Sequence, residues 1–284
     1  MRNYGIMQGR LTPPKGRGIQ FFPFENWREE FYAASEIGLQ EIEFIFDQEE
    51  YKKNPLWSIE GVKELICIME KTGVKVNAVC FDYFMRVPFY KETQQKVTKV
   101  REENKDVLLH VIRSMKQAGI PLIEIPLVDH SSLKSDQERD MFRDFLLEIE
   151  KEALKIYSEI KFGLETDLGP GEFIEYIETF HSDRIGANYD SGNSSGIGYD
   201  LYDEVVSLGD RIFNIHIKDR VYQGTTVALG TGSADFDRLF QGLQKIGYQG
   251  TFILQAARGE EGKEKQNIVS QMTFLKKYVA DYGL

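Results

Sequence analysis

Short runs of apolar residues alternate with longer amphipathic segments from one end of the chain to the other. The short runs are too continuous for half-exposed strands, which is typical of strands buried on both faces of a parallel sheet. They predict eight strands, at about 4–7, 41–46, 74–80, 122–126, 162–165, 185–189, 212–217 and 251–254. The amphipathic segments predict helices at about 25–37, 57–72, 93–119, 137–159, 171–181, 199–209, 235–247 and 263–281.

Signals at the ends of these segments support the same division. Ser58 and Asp235 precede helical patterns as N-cap residues. A glycine follows four of the predicted helices, where a left-handed residue ends the helix before the next strand: Gly38, Gly73, Gly119 and Gly247. Eight βα units with right-handed crossovers close most simply into a (β/α)8 TIM barrel.

The main alternative within the α/β class is an open, doubly wound sheet. The loop after the first strand, residues 8–14, lacks the GxGxxG fingerprint of such folds, so the barrel is favoured. A chain of 284 residues has the length of one α/β barrel, and we expect residues 1–284 to form a single domain. In such a barrel, the residues just after each strand meet at one mouth, and chemistry is expected there.

Composition narrows the kind of partner. A formal charge of −10 and the absence of a basic run disfavour nucleic acid and membrane surfaces and favour a small molecule. The chain shows neither a secretory leader nor an apolar run of membrane-spanning length, so we expect a cytoplasmic protein. Cys67 and Cys80 do not suggest a disulfide framework. A homo-oligomer is compatible with the sequence.

Polar side chains end four consecutive predicted strands, the fifth to the eighth: Glu165, Asp190, His216 and Gln255. Singly, each has an ordinary structural explanation, such as an ion pair, a turn or a buried imidazole. Together they supply two carboxylates, one imidazole and one amide oxygen around a single point. This donor set suits one divalent metal, with Mn²⁺, Mg²⁺ or Co²⁺ favoured and Zn²⁺ possible.

Several segments resemble the sugar phosphate isomerase/epimerase family of xylose isomerase-like barrels. They are the opening 5–11, the strand residues Ile42 and Glu43, the turn 190–193, the segment 216–220 and the stretch 229–236. The resemblance implies a metal held at the ends of strands five to eight, commonly by Glu, Asp, His and Glu. It also implies isomerase or epimerase chemistry on a carbohydrate, with proton transfer next to a carbonyl.

Gln255 departs from that pattern because an amide cannot take or return a proton. It also lowers the negative charge of the shell, which predicts weaker metal retention. Glu165 would then be the catalytic base of a one-base isomerisation through an enediolate. A second acid from Asp219, Asp82 or Glu43 would instead allow epimerisation or dehydration.

Strand-end loops also carry candidate substrate contacts. Four guanidinium groups could bind a phosphate or carboxylate of the sugar, although surface arginines are common: Arg10, Arg86, Arg220 and Arg258. Glu172 and Asn193 could bind hydroxyl groups, although Glu172 also suits the first turn of a helix.

Two other functions compete with a sugar isomerase. A metal-dependent endonuclease of the same broad superfamily needs a histidine-rich polynuclear site, whereas this chain has four histidines and a net charge of −10, so this function is disfavoured. A degenerate, non-catalytic sugar-binding barrel would explain Gln255 as the mark of a lost proton-transfer site.

Overall fold

The computed structural model describes residues 2–284 and forms a closed barrel of eight parallel strands. The barrel strands are β1 (Tyr4–Met7), β2 (Glu41–Ile45), β3 (Ala78–Cys80), β4 (Leu122–Leu127), β5 (Lys161–Thr166), β6 (Ile185–Asp190), β7 (Ile212–Ile217) and β10 (Phe252–Leu254). Their order around the barrel is β1-β10-β7-β6-β5-β4-β3-β2. Two short strands, β8 (Asp219–Arg220) and β9 (Thr226–Val227), form an antiparallel pair outside the barrel. The predicted (β/α)8 fold is confirmed.

Helices surround the barrel, and their bounds are α1 (Trp27–Glu36), α2 (Ile59–Thr72), α3 (Tyr83–Arg86), α4 (Val97–Ala118), α5 (Asp136–Ile156), α6 (Pro170–Glu178), α7 (Ser191–Ile197), α8 (Leu201–Leu208), α9 (Phe236–Ile246) and α10 (Glu264–Asp281). Short 3₁₀ helices lie at Tyr51–Lys53, Pro55–Trp57, Phe89–Lys91, Asp129–Ser131 and Gly209–Arg211. Met1, the first residue of the predicted domain, lies outside the described residues.

Local chemistry sets these helix ends. The Ser58 side chain accepts a hydrogen bond from the backbone N–H of Gly61, and Asp235 does the same for Arg238, so both predicted N-caps are confirmed. Gly73, Gly119 and Gly247 end α2, α4 and α9 with φ of 71°, 71° and 65°, which lies in the left-handed region where glycine has no Cβ penalty.

The structure adds elements that the apolar pattern did not predict. Segment 83–86 and segment 191–197 are short helices, and 219–227 carries the β8–β9 pair. These elements lie at the mouth of the barrel, where side-chain contacts rather than hydrophobic periodicity set the backbone. β3 is shorter than the predicted strand 74–80, because residues 74–77 are joined to the sheet only by a bridge between Lys75 and Glu41.

The core lies between the barrel and the helix layer, and both faces of most strands are buried. The inside of the barrel is unusual because its middle layer is polar rather than filled by branched aliphatic side chains. Buried polar residues of this layer are Glu43, Cys80, Glu124, Asn188 and Asn214. The metal-type donor atoms of three of them, Glu43, Cys80 and Glu124, lie within 4.8 Å of one another. This polar layer forms the floor under the residues at the mouth.

Neither cysteine takes part in a disulfide: Cys67 is exposed and Cys80 is buried, both as free thiols. Within residues 2–284, every helix is too short or too polar to cross a lipid bilayer.

Candidate metal centre and active site

Three of the predicted ligands converge at the mouth of the barrel. Glu165, Asp190 and His216 each offer a donor atom, and these atoms lie within 4.8 Å of one another. His216 Nδ1 lies 3.4 Å from Glu165 Oε2 and 3.8 Å from Asp190 Oδ2. The residues end or nearly end β5, β6 and β7, which are adjacent in the barrel, and all three are buried. Donor atoms at these separations can share one metal ion, whose bonds to oxygen and nitrogen are about 2.0 to 2.4 Å long.

The backbone after β6 holds Asp190 in place. Asp190 is the N-cap of α7, and its Oδ1 accepts hydrogen bonds from the N–H groups of Gly192 and Asn193, both at 2.8 Å. Its Oδ2 faces the centre and lies 3.1 Å from Lys218 Nζ. A Cβ at position 192 would collide with the Lys218 side chain, so a glycine there gives the lysine its path to Asp190. Although burial opposes ionisation, the charge of Lys218 and the contact with His216 lower the pKa of Asp190 below its ordinary range.

Two amides orient the Glu165 carboxylate. Asn193 Nδ2 donates a short hydrogen bond to Oε1, and Asn188 Nδ2 donates to Oε2 at 3.1 Å. Because the carboxylate is fixed on both oxygens and buried, its direction toward the centre does not depend on a ligand.

Glu43 lies directly beneath the imidazole of His216. Its Oε2 is 3.1 Å from His216 Nε2 and accepts a hydrogen bond of 2.7 Å from Asn214 Nδ2. A carboxylate behind a histidine fixes the ring and directs the other nitrogen to the centre, as in many metal sites. Burial alone would lower the pKa of His216, but Glu43, Asp190 and Glu165 together raise it well above its ordinary value. The cluster thus attracts a proton in the place where a divalent cation would compete with it.

Gln255, the fourth predicted ligand, provides a test of whether these residues fit a metal. Its Nε2 donates to Gln20 Oε1 at 3.0 Å, which leaves Oε1 as the only other polar atom of the amide. That Oε1 is buried and has no hydrogen-bond partner among the residues that the structure describes. Such an atom is costly unless a ligand satisfies it. An unpaired amide oxygen just after β10, the strand next to β7, and in the same cavity as Glu165 fits a metal ion.

A cavity of about 590 Å³ opens above the centre. Residues from most sides of the mouth line it, including Gln20, Asp82, Arg86, Glu165, Asn193, Lys218, Arg220 and Gln255. Arg220 is held at the rim, because its guanidinium donates to Asn193 Oδ1 at 3.1 Å and to the carbonyl of Gly224 at 2.9 Å. Arg86 is mostly exposed and lies 3.8 Å from Asp47. Of the four predicted arginines, Arg86 and Arg220 therefore face this cavity.

Arg10 and Arg258 have a different position. Arg10 is buried and donates to the backbone carbonyls of Ile19 and Ala256, while Arg258 donates to those of Gly9, Thr12 and Ile19. Burial and the neighbouring Arg258 charge lower the pKa of Arg10 to about 9. Both guanidinium groups fix the loop after β1, and neither is among the described residues that line the cavity.

Two of the predicted carboxylates also bind backbone groups. Asp219 is fully buried and accepts hydrogen bonds from the N–H groups of three residues, at 2.8 to 3.0 Å: Gly230, Gly232 and Ala234. Glu172 lies in the first turn of α6, where its carboxylate accepts from the N–H of Gly169 at 3.3 Å. Neither carboxylate lines the cavity in the part of the chain that the structure describes.

Sequence reasoning missed four polar residues of this region. Asn188 and Lys218 lie two positions before Asp190 and two after His216, so the alternation of a strand could have placed them on the same face. Glu124 on β4 lies at the floor of the cavity by the same alternation. Gln20 lies in the long loop after β1, and no local pattern could have placed it beside Gln255.

Comparisons with known proteins agree with the fold. Residues 31–278 match a protein family described as xylose isomerase-like TIM barrel. The L-ribulose-5-phosphate 3-epimerase of Salmonella heidelberg is 24% identical over 272 residues, which cover 92% of each chain.

Two solved structures with low sequence identity show the same fold. A D-psicose 3-epimerase from Clostridium cellulolyticum H10, crystallised with D-tagatose, superposes with a TM-score of 0.75 at 11% identity, over 98% of this chain and 99% of that one. The IOLI protein with a bound zinc atom has a TM-score of 0.72 at 18% identity, over 99% of both chains.

Proposed function

Because the chain belongs to the xylose isomerase-like TIM barrel family, and because its mouth gathers a donor set for one cation, we propose that it is a divalent-metal-dependent sugar isomerase or epimerase. The reaction is proton transfer at the carbon next to a substrate carbonyl. One observation carries the proposal: the convergence of Glu165, Asp190 and His216 within 4.8 Å under a cavity open to a small molecule.

Glu165, Asp190, His216 and the free oxygen of Gln255 would hold the metal. Oxygen and nitrogen donors of this kind favour Mn²⁺, Mg²⁺ or Co²⁺, and Zn²⁺ is also accommodated. A bound divalent ion polarises a substrate carbonyl and stabilises the negative charge that develops on its oxygens.

The side chains around the metal centre transfer the proton and keep the metal ligands ionised. Glu165 takes the proton, because its carboxylate is fixed by Asn188 and Asn193 at the wall of the cavity. Lys218 balances the charge of Asp190, so that Asp190 stays ionised as a ligand. The burial of all these groups strengthens their electrostatic effect on the reacting atoms.

A phosphorylated sugar fits the mouth as substrate. Arg220 and Arg86 line the cavity, and Lys218 adds a third cation to its wall. The epimerase of Salmonella heidelberg acts, by its name, on L-ribulose 5-phosphate, and it covers 92% of this chain. A phosphate accepts charge-assisted hydrogen bonds from guanidinium groups, which supports a substrate of this class.

The proposal is tested by deuterium exchange. Protein loaded with Mn²⁺ is incubated in D₂O with ketopentoses, ketohexoses and their phosphates, including L-ribulose 5-phosphate, and deuterium next to the carbonyl is followed by NMR. We expect exchange on at least one sugar, its loss after treatment with EDTA, and its return with Mn²⁺. Tight metal binding without exchange on any sugar would favour a non-catalytic sugar-binding barrel instead.

We expect the double substitution Arg86→Ala and Arg220→Ala to raise KM for a phosphorylated sugar far more than for the same sugar without phosphate. Each lost charged hydrogen bond should cost about 1.5 to 3 kcal/mol in kcat/KM, or roughly 10- to 150-fold. Steady-state kinetics on both sugars measure the difference. The matched control is Arg113→Ala on the outer helix α4, for which both KM values should stay unchanged. An equal rise for both sugars in the double variant would contradict an anion site.

A further inference from the structure

A continuous hydrogen-bonded path joins Gln255 to a carboxyl group across the mouth. Gln20 Oε1 accepts from Gln255 Nε2 at 3.0 Å, while Gln20 Nε2 donates to both oxygens of Asp82, at 3.1 and 2.8 Å. Cys80 Sγ lies 3.2 Å from the same carboxyl group. The loop after β1 thus fixes Asp82 at the cavity wall, one glutamine side chain away from the end of β10.

The order of the strands places this path on a different arc of the mouth from the three converging ligands, with Gln20 in the loop after β1, the strand across the barrel from β5. Glu165, Asp190 and His216 come from the neighbouring strands β5, β6 and β7. Gln255 follows β10, Gln20 follows β1 and Asp82 follows β3, so these three occupy the other arc of the mouth. Glu165, Asp82 and Gln255 all line the one cavity. A sugar seated over the metal centre could therefore contact a carboxyl group from each of the two arcs.

We propose that Asp82 is the second acid/base of the active site, positioned by Gln20, and that the reaction is epimerisation rather than one-base isomerisation. This inference rests on the proposed function, because it assigns a partner to Glu165 in the same proton transfer.

Glu165 takes the proton from the carbon next to the carbonyl, and the two C–H bonding electrons remain in the resulting enediolate. The carboxylic acid of Asp82 donates its proton to the same carbon from the opposite face. A C–H bond has been broken and another formed, and the configuration is inverted. Glu165 now holds the proton taken from the substrate, and the proton of Asp82 is on the carbon. Exchange with solvent restores both groups, and the reverse reaction exchanges their roles.

Other carboxyl groups are less suitable for this role. The two oxygens of Asp219 are bound to three backbone N–H groups outside the cavity, and Glu43 lies below His216. Glu124 lines the cavity, but burial and the charge of Glu165 raise its pKa well above the ordinary value, which disfavours the carboxylate form that a base needs.

The surroundings of Asp82 suit a group that must both give and accept a proton. Burial raises the pKa of Asp82 to about 6, partly offset by the hydrogen bond from Gln20 and assisted by the charges of Asp47 and Glu165. Near neutral pH both protonation states are then populated, as an acid that also acts as a base requires.

The experiment follows both faces of the carbon separately. Mn²⁺-loaded parent and Asp82→Asn proteins are incubated in D₂O with L-ribulose 5-phosphate and, separately, with its C3 epimer, and with any other ketose pair that the parent protein exchanges. NMR measures deuterium at C3 and the formation of the opposite epimer. Asparagine keeps the size of the side chain and can still accept a hydrogen bond from Gln20, so the variant removes the titratable group while keeping the contact.

We expect the parent to exchange C3 of both epimers and to interconvert them. Asp82→Asn should keep exchange for the epimer whose proton faces Glu165, which also shows that the metal centre is intact. Exchange of the other epimer and interconversion should fall by at least about 100-fold, the lower end of the contribution of a general acid or base.

Each other outcome decides a different question. Interconversion by Asp82→Asn at a rate close to that of the parent would overturn the role of Asp82, as would an equal loss of exchange from both epimers, which would indicate a structural residue. A parent that exchanges one epimer without interconversion would overturn this inference but support the proposed function. A parent that exchanges neither, on any sugar, would contradict the proposed function itself. The matched control is Asp106→Asn, an exposed carboxylate on the outer helix α4 that does not line the cavity, which should behave as the parent.

Discussion

Glu165→Gln should slow the exchange of the substrate proton with D₂O by about 10²- to 10⁴-fold, because a positioned general base contributes a factor of this size. Glu165 belongs to the metal centre with Asp190 and His216 and, of these three described residues, is the one that lines the cavity, so the variant removes that carboxylate. Glutamine also supplies one oxygen instead of two, so one of the amides of Asn188 and Asn193 loses its acceptor. Metal affinity should fall as well, because one anionic ligand is lost.

The measurement therefore needs saturating Mn²⁺, with metal occupancy determined for each sample. Glu175→Gln on the exposed face of α6 is the matched control and should exchange as fast as the parent. If Glu165→Gln, fully loaded with metal, retains the parent rate, the base lies elsewhere and the proposed mechanism fails. A normal rate constant at full occupancy combined with weak metal affinity would make Glu165 a ligand only.

The fold was predictable because its signals are local. Eight strands buried on both faces leave eight short apolar runs in the sequence, and the side-chain caps at Ser58 and Asp235 mark where helices begin. The convergence of Glu165, Asp190 and His216 also follows from a local rule, since residues at the carboxyl ends of neighbouring parallel strands must meet.

What a strand-end residue binds is not a local property. Arg10 and Arg258 carry the charge expected of an anion site, yet Arg10 donates to the carbonyl of Ile19 and Arg258 to that of Gly9, both in the loop after β1. The buried carboxylate of Glu30 on α1 holds the same loop through the N–H groups of Gly9 and Leu11.

Gln20 belongs to the same loop, and its side chain contacts Gln255 and Asp82 at the site. No periodicity in the sequence of the loop describes this arrangement, since it depends on contacts between residues far apart in the chain. Site residues that strands position could therefore be predicted from the sequence, whereas those that loops position could not.

Asp219 provides the sharpest test of this difference. Asp219→Ala should lower the free energy of unfolding by roughly 2 to 3 kcal/mol, because the backbone N–H groups of Gly230, Gly232 and Ala234 lose the buried carboxylate that accepts from them, and each unpaired donor costs about 1 to 3 kcal/mol where water does not replace the acceptor. The loop that contains Gly232 packs closely against this carboxylate, because a Cβ at Gly232 would collide with it. For a chain of this size the change corresponds to a fall in Tm of roughly 4 to 12 °C.

Thermal and urea unfolding followed by circular dichroism measure the effect, and Asp183→Ala, whose side chain is fully exposed, should change stability by less than about 0.5 kcal/mol. Below its unfolding temperature, Asp219→Ala should keep the metal affinity of the parent, because Asp219 does not contact the three converging ligands. The opposite pattern, unchanged stability with a large rise in KM, would restore Asp219 to the substrate-binding role that its position after β7 suggests. The two readouts separate a residue that shapes the mouth from one that touches the sugar, which the residue type alone cannot do.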